Sequence, residues 1–319
     1  MTSRVIVTGS TGFVGSVFLE ALVAADPACE IVAVGRRRPL AASAWVDVDL
    51  AAPGRIGRLG RADALVHIAA EKREWSRMHA VNVEGTRALV RAAADAGVRR
   101  VVLLSSVGVY GARPGSGRVT EASPHAPANE YERTKNVGED ETIALCEDAG
   151  IGCVVLQPSN IIGVHASGAH FPLLSLLRNV RRGRVVRVSA AARANYVGVT
   201  DVAQALLLAT WRPTLRGTFI VNEPMLLDEL LEHVAQTVGA RAPRRTVAPA
   251  LARAAGAAGS ISERLLRRSL PLNRERVRDL MNDTWYDASA LRAATGLALS
   301  AVRPTVERLA RAYAAEGRL

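Results

Sequence analysis

Apolar positions along the chain gather into short continuous runs separated by longer amphipathic stretches. Val5-Ile6-Val7, Ile31-Val32-Ala33-Val34, Ala64 to Ile68, Val101 to Leu104 and Cys153 to Leu156 are such runs, rich in β-branched side chains. Runs of this kind read as strands buried on both faces, as in a parallel sheet. Between them, Phe13 to Leu22, Asn82 to Ala96 and Tyr131 to Ala149 place apolar residues at helical spacing, the second stretch closing at Gly97. Trp45 to Leu50 alternates as a third strand, and Phe219-Ile220-Val221 reads as a late one. Strand–helix alternation predicts an α/β fold, a Rossmann-type doubly wound parallel sheet. The regularity breaks from Gly163 onward, where a polar loop, a short helix around Phe171 to Leu177, and helices over Leu226–Val238 and Ala301–Ala314 are expected. The expected division is therefore residues 1–162 with 195–222 as a nucleotide-binding domain, and 163–194 with 223–319 as a smaller substrate-binding lobe.

The first strand runs into Thr8-Gly9-Ser10-Thr11-Gly12-Phe13-Val14-Gly15, a glycine turn that opens a helix. Gly9 suits the tight turn, Gly12 lets the main chain approach a pyrophosphate, and Gly15 lets the helix pack close to the strand. Unpaired N–H groups at the helix start would then face phosphate. The second strand ends at Gly35-Arg36-Arg37-Arg38, about where a dinucleotide fold meets the adenosine ribose. Arginines there, in place of an acidic residue, suit a 2′-phosphate, with Arg36 and Arg37 the expected contacts. NADP(H) is therefore the preferred cofactor and NAD(H) the alternative.

Composition narrows the partners. The net charge of +11 invites a nucleic-acid reading, yet the basic residues are scattered and not interleaved with aromatics, so no nucleic-acid partner is expected. No apolar run is long enough to span a membrane and no cleavage-site pattern precedes the first strand, so a cytoplasmic, membrane-free protein is expected. Cys29, Cys146 and Cys153 form no Cys-x-x-Cys pair, and His79, His125, His165, His170 and His233 lack ligand spacing, so no metal is expected. His67 lies inside a strand and reads as a core histidine. Lysine occurs only at Lys72 and Lys135 in a chain that otherwise uses arginine, which suggests that an ammonium is needed there.

Tyr131-Glu132-Arg133-Thr134-Lys135 places a phenol and an ammonium four residues apart on one helix face, downstream of a strand that ends at Ser105-Ser106. A nearby ammonium together with an oxidised nicotinamide would favour the phenolate and make proton exchange with a hydroxyl practicable. The Thr-Gly-x-x-Gly-x-x-Gly loop, Ser106-x-x-x-Tyr110-Gly111 and Tyr131-x-x-x-Lys135 together resemble the extended branch of the short-chain dehydrogenase/reductases, the NAD-dependent epimerase/dehydratase family. That resemblance implies Tyr131 as general acid/base, Lys135 as its partner and a ligand of the nicotinamide ribose, and Ser106 as hydrogen-bond donor to the reacting oxygen, with Ser105 as its less favoured neighbour. It further implies cofactor contacts from Gly9, Thr11, Gly12, Phe13, Val14, Gly15, Asp49, Leu50, Ala69 and Ala70. Asn82 would brace the central strands, and Pro158, Asn160 and Ile161 would lie along the nicotinamide.

Ser106 is followed by Val107 and Gly108, without the acidic pair of the family's dehydratases, so dehydration is disfavoured. Gln157-Pro158 stands where the family carries Arg-Pro. For the substrate, Val107, Asn160, Arg184 and Arg193 are candidates beside Ser106 and Tyr131, although Arg193 lies one place further from Tyr196 than the family's diphosphate-binding arginine. The resemblance implies hydride transfer on a nucleotide sugar, as a 4-ketoreductase or 4-epimerase. The stretches Leu272-Asn273-Arg274-Glu275 and Trp285-Tyr286-Asp287 are also similar to the 3β-hydroxysteroid dehydrogenase and dihydroflavonol reductase branch, which would act on a non-nucleotide ketone. A non-catalytic cofactor-sensing protein is the remaining alternative. The resemblance also implies a homodimer pairing the helices Asn82 to Ala96 and Tyr131 to Ala149.

Overall fold

The computed structural model describes residues 3–57, 59–111, 117–164, 173–189, 191–266, 277 and 280–319. The apolar runs become β1 (Arg4–Thr8), β2 (Glu30–Val34), β3 (Ala44–Val46), β4 (Ala64–His67) and β5 (Arg100–Leu104). After the two-residue β6 (Arg118–Val119) come β7 (Gly152–Pro158), β8 (Asn160–Ile162), β9 (Arg193–Gly198), β10 (Gly217–Val221), β11 (Glu223–Leu226) and β12 (Trp285–Tyr286). Seven of them form one sheet in the order β10-β7-β5-β4-β1-β2-β3, with every neighbouring pair parallel.

Alternation along each strand builds two cores. Val5, Val7, Val66, Val102 and Leu156 face α1 (Phe13–Ala25) and α6 (Val199–Trp211), packing with Phe18, Leu22, Val202 and Leu206. Ile6, Val32, Leu65 and Val101 point the other way, onto Leu89, Val90 and Ala93 of α3 (Thr86–Asp95) and Cys146 of α4 (Glu130–Asp148). Burying each such side chain contributes about 1.5–3 kcal/mol, so a sheet covered on both sides holds its register against slippage. The strand order reverses at β1, whose neighbours are β2 and β4. A crevice therefore opens beyond the carboxyl ends of β1 and β4, the place where open α/β sheets bind ligands.

Two boundaries differ from the sequence expectation. The stretch expected as one helix from Asn82 begins earlier, with α2 (Trp75–His79), and passes through a π-helical turn at Ala80–Gly85 before α3. The wide turn brings Asn82 inward and sets Gly85 against Leu50, where a Cβ would stand 2.4 Å from the Leu50 carbonyl oxygen. The third strand ends at Val46, because Asp49 turns the chain by accepting the Ala51 N–H at 3.0 Å.

A second, three-stranded sheet places β9 between β8, which is parallel to it, and β11, which is antiparallel. Its core joins Leu177 of α5 (Leu174–Arg181), Leu230 and Val234 of α7 (Leu227–Thr237), and Val306 and Leu309 of the helix Val302–Ala315. Phe171, His165, His170 and Leu272-Asn273-Arg274-Glu275 lie outside the described residues. Among the described residues no helix is long and apolar enough to cross a membrane.

Candidate active site

β1 delivers the glycine turn to the crevice. Gly9 has φ of +66°, and a Cβ on it would lie 2.7 Å from the Ala69 nitrogen. A Cβ on Gly15 would lie 2.1 Å from the Gly9 carbonyl oxygen. The turn closes through Gly12 N–H donating to Gly9 O at 2.9 Å, and the N-cap residue of α1, Gly12, brings no side chain of its own to the helix start. Main-chain N–H groups and the positive end of the helix dipole therefore point into the crevice, a seat shaped for a pyrophosphate. Thr11 and Phe13 are half-buried beside it, and Val14 packs the helix onto the sheet. Ala69 backs Gly9, while Ala70 is exposed.

A buried polar network fixes this floor. Thr8 Oγ1 accepts the Ile68 and Ala69 N–H groups, each at 3.2 Å, and lies 2.6 Å from His67 Nδ1. With its acceptor sites so used, the Thr8 hydroxyl donates to Nδ1, which leaves Nε2–H to donate to Thr86 Oγ1 at 2.9 Å. Burial, with a smaller contribution from the Lys135 charge, pushes the His67 pKa down to about 3, so it is a neutral core histidine. Asn82 takes the next position: it exchanges hydrogen bonds of 2.8 Å with the Glu71 backbone and donates to Thr134 Oγ1 at 3.0 Å. The loop after β4 is thereby tied to α4.

At the end of β2, Gly35 takes a φ of +155°, and Arg36 and Arg37 are exposed with no acidic residue in the turn itself. Asp49, expected to meet the adenine, has both oxygens held by Arg77 Nη2 at 2.6 and 2.8 Å, and that contact lowers its pKa. Leu50 beside it is buried. Arg77 carries no motif, and only the placement of α2 over the loop reveals it.

β5 and α4 carry the candidate reactive side chains. Asn129 caps α4 by accepting the Glu132 N–H at 3.0 Å, and Glu132 reaches back to the Ala128 N–H at 2.7 Å. This cap places Tyr131 in the first turn and Lys135 one turn on, where its Nζ donates to the Leu104 carbonyl at 2.8 Å. Ser106 follows directly and caps a short 3-10 turn, Val107–Tyr110, its Oγ accepting the Gly108 N–H at 3.0 Å. Glu132 packs against Gly108, where a Cβ would meet its Cγ at 2.9 Å.

Burial and the Glu132 carboxylate push the half-buried Tyr131 phenol up to about 12, so the lowering expected from the ammonium and an oxidised nicotinamide together is not supplied by Lys135 alone. Lys135 gives one of its three donors to the Leu104 carbonyl and is itself pulled down to about 8 by burial, against an upward pull from Glu139. Sequence reading passed over Glu132 and Glu139, although both sit at fixed offsets from the Tyr131–Lys135 pair.

Pro158 ends β7, and Asn160 and Ile161 open β8, with the Asn160 amide donating to the Asn195 carbonyl at 3.1 Å. The arginines of the lobe are dispersed. Arg193 begins β9, Arg184 is exposed beyond α5, and Arg187 is tied to Asp228 and Glu232 at 3.3 and 2.7 Å.

A doubly wound parallel sheet with a glycine turn at its switch point is an architecture of nicotinamide-dependent enzymes. The chain belongs to the NAD dependent epimerase/dehydratase family, whose sequence model matches residues 5–218. It is 29% identical to "Sterol demethylase protein B" of Methylococcus capsulatus over 93% of this chain and 94% of that protein. It is likewise 29% identical to a UDP-glucose 4-epimerase of Streptomyces lividans, over 83% of this chain and 91% of the relative. Among solved structures, the Bordetella bronchiseptica enzyme WbmG in complex with NAD and UDP superposes with a TM-score of 0.76 at 21% identity, covering 100% of this chain and 97% of that one.

Proposed function

We propose that the protein is an NADP(H)-using ketoreductase or epimerase acting at C4 of a nucleotide sugar. The observation that supports the reading is that β5 and α4 are joined beside Ser106: Lys135, one turn on from Tyr131, donates to the Leu104 carbonyl, and Glu132 packs against Gly108. The seat fits the cofactor: a tight turn in which a Cβ on Gly9 or Gly15 would collide with main chain, an N-cap glycine that brings no side chain to the helix start, and exposed Arg36 and Arg37 where a 2′-phosphate would lie. The nicotinamide supplies the hydride when bound.

The protein's own groups handle the oxygen and the proton. Because Ser106 Oγ already accepts from Gly108, its hydroxyl hydrogen is available to the substrate oxygen. Tyr131, held protonated at neutral pH, is poised to give its proton to a developing alkoxide. Lys135 binds the nicotinamide ribose and supplies positive charge when the phenolate forms. Asn160 and Arg193 are the substrate contacts this reading retains, with Arg184 at the rim, and a homodimer through α3 and α4 completes it. The 1–162 plus 195–222 and 163–194 plus 223–319 division into cofactor and substrate parts belongs to the same reading.

A specific observation supports a second reading, an uncharged ketone such as a sterol: the relative named for sterol demethylation matches nearly end to end, and Arg187 is engaged within the lobe. NADPH oxidation with UDP- and dTDP-4-keto sugars, compared with 3-ketosteroids, separates the two. Turnover of the nucleotide sugars, lost by about two to four orders of magnitude in Tyr131→Phe with NADPH binding kept, is expected. Turnover of the steroid alone would replace the first reading with the second.

A further inference from the structure

Behind Lys135 lies a wholly buried polar cluster that the site described above does not use. Glu139, one turn further along α4, is 1% exposed, and its Oε1 accepts the Gln157 Nε2–H at 2.8 Å. Gln157, fully buried, accepts the Tyr110 hydroxyl on its other end at 2.6 Å. Glu139 Oε2 and the Ser105 hydroxyl have no partner of ordinary hydrogen-bond geometry, yet lie near enough for the hydroxyl to stabilise the carboxylate. Gln157 is the residue that stands where the resembling family carries arginine, so this cluster contains a carboxylate without the guanidinium that could have neutralised it.

We propose that Glu139 is a positioning residue whose carboxylate, one helical turn below Lys135, holds that side chain in the ammonium form the reaction needs. The proposal rests on the role given to Lys135 above. Around Glu139 stand Ser105 after β5, Tyr110 of the 3-10 turn, Cys153 and Gln157 of β7, His125 of the loop before α4, and Lys135 itself. Of these Lys135 is the buried amine, while His125 is exposed. Around Lys135 stand Tyr131, Glu139 and the neutral His67. Burial alone would drive a proton off the lysine, and Glu139 is the buried anion opposing that loss. Burial raises the Glu139 pKa, and the donors of Ser105 and Gln157, with the Lys135 charge, oppose that rise.

The chain's two lysines make the test direct. Lysine labelled with 13C and 15N reports each Nζ through its Cε, and Lys72→Arg assigns the pair. Glu139→Gln keeps an acceptor for Gln157 and removes only the charge. It is expected to move the Lys135 titration down by about one to two pH units, a ten- to hundredfold loss of proton affinity, with Lys72 unmoved. NADPH affinity, followed by fluorescence, is expected to begin its alkaline decline at correspondingly lower pH. An unchanged Lys135 titration overturns the proposal even if turnover falls, because a purely structural role would cost activity without moving the proton. Should Glu139→Gln not fold, Glu139→Asp, which withdraws the charge by one methylene, is expected to give a smaller shift of the same sign, and no shift there is equally fatal. The lysine titration does not depend on turnover, so failure of the catalytic reading, seen as full activity in Tyr131→Phe, is distinguishable from failure of this one.

Discussion

His67 provides a sharp test of how the floor of the crevice is held. Its ring is fully buried between Thr8 and Thr86, and its pKa is lowered from 6.5 to about 3, first by burial and then by the Lys135 charge. A histidine depressed in the folded state binds its proton more readily when unfolded, so its contribution is intact above pH 6.5 and is lost as pH falls toward 3. Within that window the slope approaches about 1.4 kcal/mol per pH unit, and at pH 4.5 the accumulated loss is about 2.7 kcal/mol. The assay compares urea unfolding of the wild type and His67→Asn at pH 7.5 and pH 4.5, with m common to both proteins. Carboxylates titrate in both proteins and cancel. The variant is less stable at pH 7.5, where it loses hydrogen bonds to two threonines, and the gap is expected to close by about 2–3 kcal/mol at pH 4.5. A gap that stays constant between the two pH values refutes the neutral, doubly bonded histidine. Nitrogen-15 shifts give an independent reading, with the proton expected on Nε2.

Two further substitutions probe the cofactor seat. Gly15→Ala drives a methyl to 2.1 Å from the Gly9 carbonyl; it should displace the turn and weaken NADPH binding at least tenfold by fluorescence titration, and unchanged binding would mean that the turn is not the seat. Arg36→Ala with Arg37→Ala removes the charges proposed for the 2′-phosphate, and should cut NADPH affinity about ten- to hundredfold while leaving NADH affinity within a factor of about three; equal losses for both cofactors would reject the NADP(H) preference.

How much of this was legible in the sequence follows from where the information is stored. The sheet was legible because its strands are buried on both faces, so that Val5-Ile6-Val7 or Val101 to Leu104 must be apolar throughout. The glycine turn was legible because Gly9 and Gly15 each sit where a Cβ would collide with main chain. The π-helical turn at Ala80–Gly85 was not, since its period differs by little from that of a helix and its cause, the Leu50 carbonyl, is remote in the chain. Asp49 was legible as an acidic residue in place, but its grip by Arg77 arises only when α2 packs over the loop.

The charge state of the reactive pair shows the limit most clearly. Spacing four residues apart puts Tyr131 and Lys135 on one helix face, and from spacing alone the ammonium is expected to depress the phenol. Spacing does not record what else competes for the ammonium. The Leu104 carbonyl takes one of its three donors, burial loosens its hold on the proton, and Glu132 next to the phenol works in the opposite direction, so Tyr131 is left protonated. All three effects come from β5 and the cap of α4, elements brought to the helix by the fold. A motif thus identifies which groups meet, and the surrounding strands decide which of them carries the proton. For a site that must deliver a proton to a carbonyl oxygen, a protonated tyrosine backed by a lysine held charged is the arrangement that reduction requires.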